Sequence, residues 1–408
     1  MAMVDETRIP RGSRVMLSEV AGDLILERGA VVTTPGKLSV SGRVSSTGEA
    51  RVEGDLECSS VYVRDGSMTV TGTLMVHGDI VARDSELFVG GNLGCTRLEV
   101  DKRLEVGGEV KCSSLEVAGR LKASSLVCKN VRVGGKMEVS GGVEGERLEV
   151  GGVLSVGGRV MLLDLDVGGK AEIGGGRISG SADVGGIFRS NGPLEFGTIS
   201  VGGIIFIAAG SKGERINVGG KFSANGDIRV QRIDVGGLAS IDGNLEGVDV
   251  DVGGVFRVGA NLTLSGELSV AGKAEVTGEF RGADVDVGGK LSSTKIILSG
   301  TISVQGEIST RQGLKARVVR LGRKARCIGV VVAEEVFAER ASTLEEVYAK
   351  RVILGDKAEA KRVYGEEVEL GEGCRVGEVY YTLNLREGGR VTYGKPPTKL
   401  SESPKPPI

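Results

Sequence analysis

The residues with the first claim on chemistry are glycines. In VGGKAEIGGGRISGSADVGGIFRS, from Val167 to Ser190, one V-G-G triplet begins at Val167 and the next at Val184, a step of 17. A glycine-rich turn can cradle phosphate, but a phosphate loop opens a helix and carries Lys and Ser or Thr at fixed offsets. Here the same turn recurs along the chain and opens strands, so no nucleotide is expected.

Four other groups could do chemistry. Cys95, Cys112 and Cys128 follow one another at steps of 17 and 16, and each ends an inward strand pair. Stacked in successive turns, they would form a metal or redox ladder, or simply small core residues. A reducing cytosol favours the core reading. The lone His77 sits at an outward turn. The left-handed acyltransferases that use a catalytic His need an 18-residue turn, so His77 reads as a solvated residue. Glu149, Asp166, Asp183, Asp234, Asp251 and Asp286 each precede a V-G-G corner. A calcium column would need the G-G-x-G-x-D nonapeptide, which is absent. Paired carboxylates suited to glycoside cleavage are easy to find in such a repeat, so finding them carries little weight. No catalytic residue, cofactor or metal is expected.

The elements that would position these residues follow from the repeat. V-G-G begins at Val89, Val106, Val133, Val150, Val167, Val184, Val201, Val218, Val235, Val252 and Val287, with an extra copy at Val156. V-A-G begins at Val117 and Val270. From Val133 to Val252 the step is always 17, seven times in succession. Inside each step lies a period-2 beat. Phe222 and Ala224, Ile228 and Val230, and Ile233 and Val235 are apolar pairs, each with a single residue between its members and turn residues between the pairs. Three short strands and three corners per turn predict an all-β fold, a parallel β-helix, right-handed by the crossover rule. The glycine corners are read as sites of φ values that other residues resist.

The organisation read from the chain has four parts. Residues 1–14 are a disordered tail and 15–316 the Gly-rich β-helix with the 17-residue V-G-G repeat. Residues 317–394 are a charged β-helix segment at period 16, and 395–408 a Pro-rich disordered tail. The stretch AEEVFAERASTLEEVYAK has helical spacing, but its V-F-A and V-Y-A modules fit the strand pattern better.

Composition narrows the partners. With 52 basic and 54 acidic residues the net charge is -2, which gives no pull towards nucleic acid. The N-terminal residues lack the apolar core of a secretory signal and no apolar run spans a bilayer, so a cytoplasmic location is expected. Outward apolar residues are the most pointed feature. Ile204 and Phe206 point out by the frame, Ile187 falls one turn away beside Ile204, and Leu238 and Val255 occupy the same frame position. Tyr348, Tyr364 and Tyr380, recurring at period 16, form a second outward column. These eight residues are the candidate interaction surface.

The beads SVSGRVSSTGEARVEGDLECSSVYVRDGSMTVTGTLMVHGDIVA and RVYGEEVELGEGCRVGEVYY resemble those of bactofilins, the polymer-forming cytoskeletal proteins. The resemblance is one of repeat style over residues 20–394, in a chain much longer than bactofilin cores. It implies a triangular right-handed β-helix, nucleotide-independent filaments formed by end-to-end stacking, and a scaffolding role. The implied partners are other copies of the chain, the membrane surface or other cytoskeletal proteins. The competing expectation is a carbohydrate-binding or carbohydrate-processing β-helix.

Overall fold

One residue in two of each apolar module points inward. The computed structural model, which describes residues 6–408, turns that alternation into β-strands, with no helix among the described residues. The chain divides into two units, Met1–Gly202 and Gly203–Ile408. Each is a right-handed parallel β-helix. In the first, strand Arg147–Val150 lies between Ser125–Val133 and Asp164–Val167, with Val133, Val150 and Val167 in register. In the second, Ile228–Val235 lies between Lys212–Val218 and Leu245–Val252, aligning Val218, Val235 and Val252. In the C-terminal coils the period shortens to 16, and Val347, Val363 and Val379 stack. The stretch with helical spacing is divided between strands Arg326–Ala338 and Thr343–Leu354, and Val336 and Val347 are fully buried there.

The interior is lined by one residue per strand position. In the second unit one interior column reads Ile205, Phe222, Ala239, Phe256, Ala274, Leu291 in successive coils. Phe222, Ala239, Phe256 and Ala274 are all wholly buried. A phenyl ring is too bulky to stack at every coil in a channel this narrow, and the alanines give back the volume the rings take. Close packing with large and small residues facing each other is how interiors reach their density.

The glycine corners work differently from the expectation. None of the V-G-G glycines has a positive φ. Their constraint is steric. A Cβ placed on Gly151, Gly168 or Gly185 would lie 2.3, 2.3 and 2.2 Å from the carbonyl oxygen of the glycine one coil back. Without side chains the corner closes tightly enough for its own hydrogen bonds: Gly168 N–H donates to Val150 O at 3.0 Å and Gly169 N–H to Gly152 O at 3.1 Å. The triplets also occupy two different corners. Val89 and Val106 pair with each other on one face, and Val156 pairs with Val139 on that same face. Val100, Val117, Val133 and Val150 stack on another.

After a first coil of 17, from Glu6 to Asp23, several coils are longer than the expected period of 16 to 17. Glu19 is the register partner of Ser39, a step of 20, and Val61 is that of Ile80, a step of 19. The step of 20 gains its extra residues between Thr33 and Ser39, and the later corners at Asp65 (φ 54°) and Asp84 (φ 49°) take the left-handed conformation that Asp tolerates better than most side chains.

The expected tails are also partly structured. Glu6–Ile9 is a strand paired with Asp23–Leu26, because Ile9 is buried and Arg8 bridges Glu6 and Glu27. Residues 1–5 of that expected tail lie outside the described residues. At the other end Thr398–Lys399 pairs with Tyr380 and Tyr381, while the prolines beyond carry no strand.

Gly168→Ala is therefore expected to cost about 1–3 kcal/mol, the usual range for overpacking. Gly36→Ala, with nothing within 4 Å of the added carbon, is expected to stay within about 0.5 kcal/mol. Urea unfolding midpoints of the two variants check this; equal shifts would remove the steric account of the corner.

Candidate functional site

The groups with chemical potential are arranged as columns, and most are satisfied within the column. Glu149, Asp166 and Asp183 occupy consecutive register positions, as do Asp234 and Asp251, while Asp286 follows after Ser269. Asp166, Asp183, Asp234, Asp251 and Asp286 are exposed and Glu149 is half-buried against Arg132. Among the described residues no three His, Cys, Asp or Glu side chains converge as a metal site would require. His77 is exposed, with Nε2 3.0 Å from Glu57 Oε1. Lys37 first, and His77 second, hold the Glu57 carboxyl below its ordinary range.

The cysteines do stack. Cys112 pairs in register with Cys128, and Cys95 N–H donates to Lys111 O in the adjoining coil. The Cys112 and Cys128 sulfurs are 3.0 Å apart. Cys128 is buried, while Cys95 and Cys112 are half-buried, which differs from the expectation of fully interior residues. Contact with Cys128 favours the Cys112 thiolate, but Cys95 and burial outweigh it and push the thiol up to about 12. Cys128 is raised as well, by Cys112 first and then by burial.

One column escaped the sequence reading. Asp227, Asn244 and Asn261 recur at spacing 17, each just before the first inward residue of a strand. Asp227 Oδ1 accepts from the Asn244 backbone N–H at 2.7 Å and from its Nδ2 at 2.9 Å. Asn244 Oδ1 accepts the same pair from Asn261, and Asn261 Oδ1 accepts Glu279 N–H at 2.9 Å. Each side chain satisfies a corner N–H of the next coil. The signal for it is an Asp or Asn at a fixed frame position after a glycine-containing turn.

The outward apolar residues fall in two groups. Ile204, Leu238 and Val255 share one column of the second unit, with Lys221 between Ile204 and Leu238. All three are half-buried. Phe206, also half-buried, belongs to the next outward column with Ser223 and Ser240. Ile187, in the first unit, stacks on Lys170 and then Val153, and is 37% exposed. Lysine stems interrupt both columns, Lys170 in the first unit and Lys221 in the second, while Leu238 and Val255 are direct neighbours.

Tyr348, Tyr364 and Tyr380 form a separate column. Their rings are parallel, with centroids 4.5 and 4.8 Å apart and interplanar angles of 11° and 8°. Tyr348 Oη donates to Glu346 at 2.7 Å and Tyr380 Oη to Glu378 at 3.1 Å. Arg362 stands between these carboxylates, 3.3 Å from Glu346 and 3.8 Å from Glu378. Lys395 completes the row and is the main cause holding the Glu378 carboxyl down. Burial, then Glu346, raises the Tyr348 phenol. The result is a ring ladder pinned by an alternating charge ladder, with ring edges facing solvent and the faces of the middle ring covered.

No family model, curated protein or solved structure matches this chain.

Two outcomes follow. Tyr364→Ala removes two stacked contacts and is expected to lower stability by about 1–3 kcal/mol, at about 0.5–1.5 kcal/mol per pair. Tyr364→Phe keeps both and should lose less than half as much in urea unfolding. The second concerns Glu138, whose carboxyl is held at about 2 by Lys136 first and Arg120 second. A depressed carboxyl stabilises the fold above its ordinary value of 4.5 and loses that contribution as pH falls towards 2. The gap in urea midpoint between the native chain and Glu138→Gln should be widest near neutrality and close by about pH 2.

Proposed function

We propose that this chain is a structural scaffold of the bactofilin kind, which self-assembles into nucleotide-independent filaments by end-to-end stacking of its coils. The observation that carries the reading is that coil pairs on coil. Strand by strand, coils meet with a parallel backbone edge in register and with charges that find partners one turn away, and in the V-G-G coils the corner between them is free of side chains. Arg132 with Glu149, Arg229 with Glu246 and Lys361 with Glu345 are examples. Such a surface is complementary to another copy of itself, and an open β edge is a template for pairing. Association of this kind draws on hydrogen bonds and apolar burial and requires no nucleotide.

A cytoplasmic scaffold is the setting we propose, with the membrane surface and other cytoskeletal proteins as its further contacts. Among the described residues no helix is long and apolar enough to cross a membrane. The carbohydrate reading has less support. Sugars pack on open aromatic faces, whereas Tyr364 has a ring on each side, and the carboxylates nearby are engaged by Arg362 and Lys395.

Electron microscopy of the purified chain, without nucleotide and over a range of concentrations, tests the proposal. Filaments whose diffraction shows the strand spacing of about 4.8 Å along the axis are expected. Particles of single-chain mass at every concentration would overturn it.

A further inference from the structure

We propose that Cys112 and Cys128 form a reversible oxidation site, in which a hydroperoxide converts the two stacked thiols to a disulfide that staples adjacent coils. Three observations carry this. The two residues are register partners on neighbouring parallel strands, Glu109–Val117 and Ser125–Val133. Strand neighbours lie about 4.8 Å apart, inside the range of about 4.4–6.8 Å over which a disulfide joins two Cα atoms. Their sulfurs already stand 3.0 Å apart, and both thiols are free.

The surroundings suit the reaction. In other coils of this unit Cys58, Val76, Leu162, Ile178 and Phe196 hold the equivalent position, each at most 5% exposed. Where the cysteines stand, burial loosens: Cys112 is half-buried and so within reach of a small oxidant, while Cys128 is covered. The residue stacked after Cys128 is Gly145, which adds no side chain to hold that sulfur in place. Cys95, on the other side of Cys112 and also half-buried, offers a third thiol to the same column.

The atoms balance. The Cys112 sulfur attacks one peroxide oxygen, the O–O bond breaks, and Cys112 sulfenic acid and water form. The Cys128 sulfur then attacks the Cys112 sulfur, the S–S bond forms, and hydroxide leaves to take up the Cys128 proton as a second water. The two thiols lose two electrons and two protons, and the hydroperoxide is reduced. A small-molecule thiol reverses the step by exchange. A protonated thiol is a weak nucleophile, so this is a slow latch and not a peroxidase.

The test uses the full chain treated with hydrogen peroxide, alkylated under denaturing conditions and digested with trypsin without reduction. Cleavage at Lys111, Arg120, Lys122 and Lys129 leaves Cys112 on peptide 112–120 and Cys128 on 123–129. The expected result is a cross-linked pair of these peptides, from a chain that still runs as a monomer on a denaturing gel, abolished by dithiothreitol. Cys58 and Cys327, both buried, should remain alkylatable. The Cys95→Ser variant is expected to keep the cross-link. The proposal is overturned if Cys112 goes to sulfinic acid with no cross-link, if all the cysteines are lost at one rate, or if Cys95→Ser abolishes the link.

Discussion

The separation of parallel strands, about 4.8 Å from one coil to the next, governs everything else in this molecule. It is set by the backbone hydrogen bond and cannot be widened locally without losing the ladder. Any residue at a given corner or strand position must therefore coexist with its counterpart at that distance, above and below. The corner glycines answer this constraint by omission, since a methyl group there would overlap the carbonyl beneath. The tyrosines answer it by shape, since flat rings stack at close to the strand spacing. Asparagine meets it by complementarity, donating to one neighbour and accepting from the other.

Charge obeys the same rule. Like charges repel when stacked, so most charged columns alternate sign or lean on a neighbour, as in Glu346, Arg362, Glu378 and Lys395. Each exposed pair contributes little by itself. The pairs recur along both units, and over the whole chain 52 basic residues stand against 54 acidic ones. The exposed aspartates before the V-G-G corners are one exception, and Glu267 beside Asp284 is another.

The architecture was legible in the sequence because period 2 and period 17 coincide there, and both are geometric. Val218, Val235 and Val252 could be stacked on paper, and so could Tyr348, Tyr364 and Tyr380. The cause of the glycine corners was not legible, because the distance to a carbonyl one coil away is not a property of any local stretch. The first strand was hidden for a related reason: Glu6–Ile9 has a single buried residue, Ile9, and is held by pairing with Asp23–Leu26. The cysteines were placed in one column, yet the half-exposure of Cys95 and Cys112 has no signal in their spacing. Ile204, Leu238 and Val255 were aligned by frame, as was Lys221, which falls between Ile204 and Leu238.

The phenylalanine and alanine sequence inside the second unit has a consequence for how such a chain can lengthen. Between Phe222 and Ala274 this interior column has parity: it carries a ring and a methyl group in alternate coils. Copying or excising one coil in this stretch sets ring on ring or void on void in that column, whereas two coils moved together keep its alternation. For this column the unit that can be added or removed without a clash is a doublet, although the visible motif recurs at single-coil spacing.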